Sequence, residues 1–379
     1  MPHPVHILHL HSTFALGGKE ARAVRLMNAF GDRARHTIVS AMPDQLGARD
    51  AIAPSVAYEI AQNPPPLTGN PSVARYEAIA KFTRRFDLVL TYNWGAIDGV
   101  MARRVFAKGA PPVVHHEDGF NADEAGGLKP QRNLYRRFAL GAAHALAVPS
   151  YTLEQIALRT WKVPRERVHR IANGIDVARY AVKPRPDAIP GFKRRKGEFV
   201  IGTLAGLREV KDLPALVRAV GGMGVPARLV IVGEGPERGR IEAAAALMGI
   251  ADRVHLPGFL PNPELFVGTF DAMALSSQSE QFPIAVIEGM AAGLPIAAPA
   301  VGDIATMVSA ANAPYIYPER HEVHLRDSLQ ALAMGTPAGR AWIGEENRAK
   351  ARAEYDEKCM IARYAALYAE AMGRPGILG

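Results

Sequence analysis

The chain has 379 residues, 48% of them hydrophobic and 22% charged, which is enough for two soluble domains with their own buried cores. Its formal net charge of +8 lies entirely in residues 1–180, which carry 23 Lys and Arg against 15 Asp and Glu, while residues 181–379 carry 22 of each. One cysteine, Cys359, excludes an intrachain disulfide framework, and neither a signal-peptide pattern nor a run of roughly 18 apolar residues is present, so we expect a cytoplasmic protein.

Short apolar runs alternate with helical patterns from the start of the chain. We predict strands at Val5–Leu10, Thr37–Ala41, Asp87–Thr91, Pro112–His116, Ala145–Pro149, Val168–Ala172, Phe199–Leu204, Arg228–Val232, Arg253–Leu256, Ala272–Ser276 and Pro295–Ala298. Helices are predicted between them, for example at Lys19–Phe30, Asn70–Arg85, Pro236–Met248, Pro283–Ala292 and about Asn347 to Met372. This alternation is typical of parallel sheets covered on both faces, and it predicts an α/β fold of two Rossmann-like, doubly wound domains.

The clearest break in the pattern is Val182–Glu198, a segment rich in proline and charge where we place the domain linker. It predicts an N-terminal domain of residues 1–180 and a C-terminal domain of residues 181–355. Residues 356–379 are predicted to form a C-terminal helix that packs back on the N-terminal domain.

Two stretches of the first half follow predicted strands and are candidates for a site. Gly17 and Gly18 lack a Cβ and would let a ligand approach the backbone closely, although most glycine pairs are simple turns. After the strand Pro112–His116 comes a polar cluster, where an open sheet has its crevice. Its members are His115, His116, Glu117 and Asp118. Because neighbours in a strand point to opposite faces, we expect no metal site there. The alternative to a direct ligand contact is that the cluster forms a polar turn beside an acceptor substrate.

The first half also carries two groups of cations on predicted helices. They are Arg103, Arg104 and Lys108 on one helix and Arg132, Arg136 and Arg137 on another. The spacing of Arg132 and Arg136 places both guanidinium groups on one face. We expect such residues to contact an anionic membrane or a phosphate-bearing acceptor, and a merely solubilising surface is the alternative. Without interleaved aromatic residues, nucleic acid is a poor candidate partner.

Two further cations, Arg208 and Lys211, follow the strand Phe199–Leu204 at the start of a helix. Cations at this place can clamp a diphosphate and stabilise it as a leaving group. The alternative is that both residues are solvated at a helix start.

The segment Ala272–Ala298, "AMALSSQSEQFPIAVIEGMAAGLPIAA", reads as a buried strand, a polar loop and a helix opened by Pro283. The backbone N–H groups at the start of this helix could hold a diphosphate. Glu288 could accept hydrogen bonds from a ribose diol, and Glu280 could reach hydroxyls of a sugar. The alternative is that Glu280 caps the helix and Glu288 is solvated.

These residues carry a family resemblance. Glu280 and Glu288 form a Glu-x7-Glu pair that closely resembles the signature of glycosyltransferase family 4, retaining enzymes of the GT-B fold. "LVIVGEGPER" from Leu229, "RVHLPGFLPN" from Arg253 and "NGID" from Asn173 also resemble family motifs, in the family's order. The resemblance implies two Rossmann-like domains facing a central cleft, an N-terminal domain for the acceptor and a C-terminal domain for a nucleotide sugar.

The sequence departs from the family pattern in three places. Gln281, Phe282 and Pro283 stand where the family has Gly-Phe-Gly, and the proline removes one backbone N–H. Ala205 and Gly206 stand where an arginine is common, so Arg208 is the candidate to substitute for it. At the position of the family's sugar-contacting histidine, gapless matching places Asp118, and the order of preference is Asp118, His116, Glu117, with His115 or His116 taking the role if the match shifts.

The resemblance implies metal-independent transfer of a hexose with retention of configuration, without a cofactor beyond the nucleotide diphosphate sugar that serves as donor. The implied catalytic residues are Glu280, Asp118, His116, Lys211 and Arg208. The implied donor-binding residues are Gly17, Gly18, Arg208, Lys211, Gly258, Phe259, Glu280, Phe282, Pro283, Ile284 and Glu288. The acceptor is expected to be a glycan, lipid-linked or cell-surface polysaccharide intermediate. The alternatives are a GT-B nucleotide-sugar epimerase and a non-catalytic nucleotide-sugar-binding protein at a membrane.

Overall fold

The computed structural model describes residues 3–120, 124, 127–185 and 187–379. The chain divides into two compact units. The first runs to Asn173 and includes Cys359–Gly379, and the second is Gly174–Lys358. The described residues of the predicted linker, Val182–Glu198, therefore belong to the second unit. Residue 186 lies outside the described residues. The chain passes from the first unit to the second after Asn173 instead.

The first unit is built on a seven-stranded sheet. Its strands are β1 (Val5–His11), β2 (Ala34–Ser40), β3 (Ala57–Ile60), β4 (Leu88–Tyr92), β5 (Val113–His116), β6 (Ala145–Val148) and β7 (Val168–Arg170), and they pair in the order β3-β2-β1-β4-β5-β6-β7. Every pair is parallel, with Ile7 opposite both His36 of β2 and Leu88 of β4. The central strands are buried along nearly their whole length, which is why they read as continuous apolar runs.

Within the described residues, the helices that connect these strands are α1 (Gly18–Phe30), α2 (Val73–Thr83), α3 (Asp98–Val105), α4 (Pro130–Leu140) and α5 (Tyr151–Arg159). Strand β3 is absent from the sequence prediction because it lies at the edge of the sheet and its side chains are largely exposed. An exposed edge strand carries no apolar run by which it could be recognised.

The second unit repeats this architecture with a six-stranded parallel sheet. Its strands are β8 (Phe199–Leu204), β9 (Ala227–Val232), β10 (Val254–Gly258), β11 (Ala272–Ala274), β12 (Ile296–Pro299) and β13 (Ile316–Tyr317), in the order β10-β9-β8-β11-β12-β13. Its helices are α6 (Leu213–Gly221), α7 (Arg238–Leu247), α8 (Ile284–Ala291), α9 (Ile304–Met307), α10 (Glu322–Met334) and α11 (Pro337–Glu354). The predicted fold of two Rossmann-like parallel-sheet domains is confirmed.

The single late helix predicted from Asn347 to Met372 is wrong, because α11 ends at Glu354 and a separate helix, α12 (Glu357–Ala371), follows. Between them, the backbone bonds to Ile175 instead of continuing a helix. The Ile175 N–H donates to the Tyr355 carbonyl at 3.0 Å, and the Glu357 N–H donates to the Ile175 carbonyl at 2.9 Å. Further along α12, Met360, Tyr364, Leu367 and Tyr368 lie in the core of the first unit.

The strand order reverses between β1 and β4 in the first sheet and between β8 and β11 in the second. Open parallel sheets bind ligands at such switch points, outside the carboxyl ends of the strands. The loops that follow these strands therefore define where a site is expected in each unit. Within the described residues, no helix combines the length and apolarity needed to cross a bilayer.

Candidate functional site

In the second unit, the loops after β8 and β11 are joined by an ion pair at the switch point. The Lys211 ammonium group lies in direct contact with Glu280 Oε1, which also accepts a hydrogen bond from Ser277 Oγ at 2.7 Å. Ser276 Oγ donates to the Lys211 carbonyl at 2.8 Å, so side chains and backbone fasten the same two loops. Both charged side chains are mostly buried but keep some exposure, as a ligand contact requires.

The backbone of the Glu280 loop depends on a glycine after β12. Gly302 has φ +58°, a conformation that favours glycine, and a Cβ there would overlap the carbonyl oxygen of Glu280. Beside it, the Asp303 N–H donates to the Gln281 carbonyl at 3.2 Å. The position of Glu280 is therefore set from two sides, by Lys211 and by the turn at Gly302.

The helix α8 begins immediately after this loop. Pro283 is its N-cap, with no capping hydrogen bond from its side chain, and the Val286 N–H bonds back to the Pro283 carbonyl at 3.1 Å. The N–H groups of Ile284 and Ala285 belong to the first turn, which has no intrahelical acceptor for them. Such an end attracts an anion. Phe282, buried beside Pro283, packs edge-on against Tyr355.

Glu288 is the fifth residue of α8 and is half-buried. Its Oε1 accepts a hydrogen bond from the buried Tyr180 hydroxyl at 3.2 Å. Glu288 is thus an oriented carboxylate instead of the freely solvated one of the alternative interpretation. The sequence analysis did not identify Tyr180, which follows the "NGID" turn by four residues and carries no pattern of its own.

Arg208 lies in the same loop as Lys211 and differs from it in its contacts. It is exposed, and among the residues that the structure describes its guanidinium group has no ion-pair partner. Gly206 leaves room beside it, since a Cβ there would lie 3.6 Å from Arg208 Nε. Arg208 therefore offers a cation at the switch point that no described carboxylate neutralises.

The glycine turn after β9 packs against this loop. Gly233 has φ +148°, and a Cβ there would overlap the Ala205 carbonyl oxygen, while a Cβ on Gly235 would lie 2.5 Å from the Leu207 carbonyl oxygen. The glycines of "VGEG" are therefore required for the close approach of two backbones. On the next strand, the Gly233 N–H donates to the Gly258 carbonyl at 2.9 Å, which places this turn beside the end of β10.

Phe259 follows Gly258 at the end of β10. Its side chain is 61% exposed, and its N–H points to Glu234 Oε1 at 3.5 Å. An aromatic ring held at a strand end and open to solvent can stack on a planar ring such as a nucleobase. The structure thus leaves Phe259 available for the role that the resemblance implies.

In the first unit, Gly17 is the N-cap of α1 and Gly18 is the first helical residue. Gly17 is extended and has no side chain to cap the helix. The N–H groups in the first turn of α1 therefore lie just after the end of β1 without an intrahelical acceptor. Glu20 is buried and contacts Lys19. The glycine pair therefore stands at the switch point between β1 and β4.

Asp118 lies just past the end of β5 and is held by Arg22 of α1. Arg22 Nη2 donates to Asp118 Oδ2 at 2.8 Å, Nη1 contacts the other oxygen, and Nη1 also donates to Asn173 Oδ1 at 3.1 Å. Burial acts to raise the pKa of Asp118, but the charge and hydrogen bonds of Arg22 outweigh it, and the pKa lies below its usual value. The carboxylate is ionised and 14% exposed.

His116 is fully buried and uses both ring nitrogens inside the unit. Nδ1 donates to the Thr91 carbonyl at 3.1 Å, and Nε2 accepts from the Tyr368 hydroxyl at 2.7 Å. Burial, followed by the charge of Arg22, lowers the pKa of His116 to about 3. A neutral imidazole with both nitrogens engaged has no nitrogen left for a substrate, so this geometry assigns His116 to the core.

The two remaining members of the polar cluster are also inside. His115 is fully buried, with Nδ1 at 2.7 Å from Thr91 Oγ1. Glu117 is fully buried and accepts from Arg136 Nε at 3.3 Å. Asp118 is therefore the member of the cluster that keeps an exposed edge, and its sugar-contacting role stays a prediction.

The predicted docking role of Arg132 and Arg136 is wrong. Arg136 is fully buried and bonds to Glu117 and Glu124, and its guanidinium group stacks on the rings of Trp94, Phe120 and Trp161. Arg132 pairs with Glu124 at 3.0 Å, and Arg103 donates to three backbone carbonyls. These arginines neutralise or cap interior groups, whereas Arg104, Lys108 and Arg137 are exposed.

The described part of the chain contains no group of three or more His, Cys, Asp and Glu side chains arranged to hold a metal ion. His9 and His11, which share a strand face, lie in the core of the first unit. His9 bonds to the Tyr92 hydroxyl at 3.1 Å and to His36 at 3.0 Å, and the ring of His11 stacks on Tyr92 at 4.0 Å.

Comparison with known proteins matches both halves of the chain. The family described as "Glycosyltransferase Family 4" matches residues 3–179, and "Glycosyl transferases group 1" matches residues 185–345. A 2-deoxystreptamine glucosyltransferase of Streptomyces kanamyceticus is 32% identical over 194 residues, 45% of this chain and 50% of that protein. The N-acetyl-alpha-D-glucosaminyl L-malate synthase of Bacillus anthracis is 23% identical over 244 residues, 64% of each. The chain spans about half to two thirds of the length of these curated relatives.

Solved structures share the whole architecture. Anabaena HepE in complex with UDP and glucose superposes with a TM-score of 0.78 at 18% identity, covering 97% of this chain and all of that one. The sucrose-phosphate synthase of Thermosynechococcus elongatus superposes with a TM-score of 0.76 at 19% identity, covering 97% of this chain and 99% of that one. At these identities, the likeness establishes the fold.

Proposed function

The chain belongs to the family 4, group 1 glycosyltransferases of the GT-B fold, and we propose that it is a retaining glycosyltransferase that uses a nucleotide diphosphate sugar. The proposed acceptor is a glycan, lipid-linked or cell-surface polysaccharide intermediate. The observation that carries the proposal is the Lys211–Glu280 pair beside the open amino end of α8, with Glu288 one turn further along.

The diphosphate of the donor would bind at the start of α8. The N–H groups of Ile284 and Ala285 would donate hydrogen bonds to its oxygens, and Lys211 and Arg208 would supply cations. As the bond to the sugar breaks, charge grows on the departing diphosphate, and these groups are already in place to stabilise it. Pro283 contributes no N–H, so the helix offers its donors from Ile284 onward.

The nucleoside would lie along α8 and the end of β10. Glu288, oriented by Tyr180, can accept both hydrogen bonds of a ribose diol. Phe259 and the backbone at Gly258 would contact the base. For the transferred sugar, the proposal assigns hydroxyl binding to Glu280 of the second unit and to Asp118 of the first unit, and it assigns contact with the phosphates to Gly17 and Gly18.

The reaction is proposed as a front-face displacement. The acceptor oxygen forms a bond to the anomeric carbon while the bond from that carbon to the β-phosphate oxygen breaks on the same face. The acceptor proton passes to the departing phosphate oxygen, so no protein base is required. The protein supplies positioning and charge stabilisation. Transfer without a metal ion remains a prediction, and activity that survives a chelator would support it.

The first experiment is a thermal-shift panel of nucleotide sugars, because a ligand that binds only the native state raises its melting temperature. With the donor identified, release of free nucleotide diphosphate is measured with and without acceptor. A transferase releases it in step with glycosylated acceptor, whereas an epimerase converts the donor without acceptor. Glu280→Gln should abolish transfer while the protein stays folded.

A non-catalytic role is the second candidate, favoured by the departures at Gln281, Pro283 and Gly206 from the family pattern. It predicts that nucleotide sugar binds without turnover for any acceptor, and that Glu280→Ala leaves the binding of a partner intact. The predicted cytoplasmic location stays a prediction. Peripheral contact with an anionic membrane is part of the proposal.

A further inference from the structure

The first unit exposes a mixed apolar and cationic surface on α3 and α4. On α4, Leu134 is 55% and Phe138 is 53% exposed, four residues apart and so on one face of the helix. Arg104 of α3 lies over the Phe138 ring at 5.9 Å, which joins the two helices at this face. We name this the α3–α4 surface, and it consists of Arg104, Val105, Lys108, Leu134, Arg137 and Phe138.

The charge of this surface has one sign. Residues 99–116 and 125–153 contain no Asp or Glu and seven Lys or Arg. Of these seven, Arg103, Arg132 and Arg136 are engaged by backbone carbonyls or by Glu117 and Glu124, and Lys129, just before α4, also has an interaction partner. Arg104, Lys108 and Arg137 are exposed and form no ion pair among the described residues.

The exposed apolar side chains of α4 are not needed to pack this helix on the first unit. The opposite side of α4 is occupied by Arg136, Ala139 and Leu140, which are fully buried, so the helix already has its core contact. Leu134 and Phe138, on the other side, each keep more than half of their surface exposed. Apolar side chains rimmed by cations on an otherwise docked helix are the composition of a surface that lies on a bilayer of anionic lipid.

We propose that the α3–α4 surface docks on an anionic lipid bilayer. Phe138, Leu134 and Val105 enter the boundary between headgroups and acyl chains. Arg104, Arg137 and Lys108 remain at the level of the lipid phosphates. An anionic bilayer fits better than an acidic protein because exposed apolar side chains lie among cations that form no ion pair with described residues, and a bilayer accommodates both at once. The net charge of +8 that residues 1–180 carry has the sign that this contact needs.

The experiment is co-sedimentation of the full chain with vesicles, without donor or acceptor. One set contains phosphatidylcholine alone, and the other contains equal parts of phosphatidylcholine and phosphatidylglycerol. The wild-type protein should sediment with the anionic vesicles only, and less so as salt is added.

The double variant Arg104→Glu with Arg137→Glu should weaken this binding about 25-fold or more, since each cation near the surface contributes roughly fivefold to the affinity. Leu134→Ser with Phe138→Ser should weaken it even at low salt.

Two matched controls lie in the second unit. Leu247→Ser changes an exposed leucine at 83% exposure, and Arg352→Glu reverses an exposed cation. Both should sediment like wild type. Equal binding of the charge-reversed and wild-type proteins would overturn the proposal, and so would wild-type binding to neutral vesicles. Failure to sediment with either set would overturn it as well and would leave an acidic protein as the partner. Transfer to a water-soluble acceptor without vesicles is measured separately, so that a failed proposed function is distinguished from a failed docking surface.

Discussion

Arg22 and Asp118 form a two-pronged ion pair inside the first unit, across a separation of 96 residues in the chain. The pair joins the first turns of α1 to the end of β5, the two sides of the switch point in that sheet. Asn173 completes it by accepting from the same guanidinium group at 3.1 Å. The carboxylate that we assign to the sugar is thus positioned by a residue that is itself only 4% exposed.

Removing Arg22 should lower the free energy of unfolding, because Asp118 would remain buried without its partner. Arg22→Met leaves an unpaired buried carboxylate, which costs about 3–5 kcal/mol of unfolding free energy at neutral pH. In the wild type, the folded pKa of Asp118 is depressed, so its stabilisation is present above the unfolded pKa and is lost as pH falls through the folded pKa. Without Arg22, burial dominates and raises that pKa, so the loss of unfolding free energy relative to the wild type should shrink as pH falls.

Urea unfolding of both proteins from neutral to acid pH measures this difference in unfolding free energy. Arg22→Met with Asp118→Asn should recover most of the loss, and a deficit that does not depend on pH would contradict the argument.

Gly302→Ala should lower turnover through Glu280. The residue has φ +58°, and the added Cβ would collide with the Glu280 carbonyl, so the loop must move. Gly249→Ala is the matched control, because it has φ +66° but no atom within 4 Å of the added Cβ. Both variants carry the backbone strain of about 1 kcal/mol. Only Gly302→Ala should lose kcat, and equal kcat losses in the two variants would show that strain alone is responsible.

Lys211→Met should reduce kcat by about 100- to 1000-fold, as expected when one group that stabilises the leaving charge is lost. The control is Lys350→Met, which removes a surface ion pair with Glu354 on α11 of the same unit. Its effect on transfer should be negligible. The result is read from initial rates at saturating donor. A change in KM alone for Lys211→Met would assign the lysine to ground-state binding instead.

Tyr180→Phe should weaken nucleotide binding by a modest factor. It removes one hydrogen bond to Glu288, worth about 0.5–1.5 kcal/mol, or up to about tenfold in Kd. Glu288→Gln should weaken binding further, because the carboxylate that contacts the ribose loses its charge. Titration calorimetry with the nucleotide of the identified donor gives both values. Tyr58→Phe, on the exposed edge strand β3, serves as the control. Unchanged affinity in Glu288→Gln would argue against the ribose assignment.

The buried histidines of the first unit should make it sensitive to mild acid. Burial lowers the pKa of His116 to about 3 and that of His36 to about 4, and it places that of His9 well below the usual value. Between these values and the unfolded pKa near 6.5, the unfolded chain binds protons that the native state does not. The unfolding free energy should therefore fall from about pH 6.5 toward pH 4. Denaturation followed by fluorescence of the buried Trp161 measures the slope, and His36→Gln should make it shallower. A flat profile in this range would contradict the burial of neutral imidazoles.

The sequence predicts the residues of the second unit better than those of the first. Glu280, Lys211 and the start of α8 follow from one continuous segment and one loop, whose strand, turn and helix signals are local. In the first unit, the sequence locates the polar cluster after β5 but does not decide which of its members is exposed to a ligand. His115, His116 and Asp118 have the same sequence context, and only burial separates the two histidines from the carboxylate.

The alternation of apolar runs and helical patterns by itself determined two doubly wound parallel-sheet domains, because periodicity records which faces of each element are buried. The Glu-x7-Glu segment likewise determined where a strand, a polar loop and a helix follow one another, since all three signals are consecutive in the chain. Only the tertiary structure decided which cations are available. Arg132 and Arg136 bond to Glu117 and Glu124 inside the unit, while Arg104, Lys108 and Arg137 remain outside. The same holds for Arg22 with Asp118 and for Tyr180 with Glu288, because a partner about a hundred residues away leaves no local pattern in the chain.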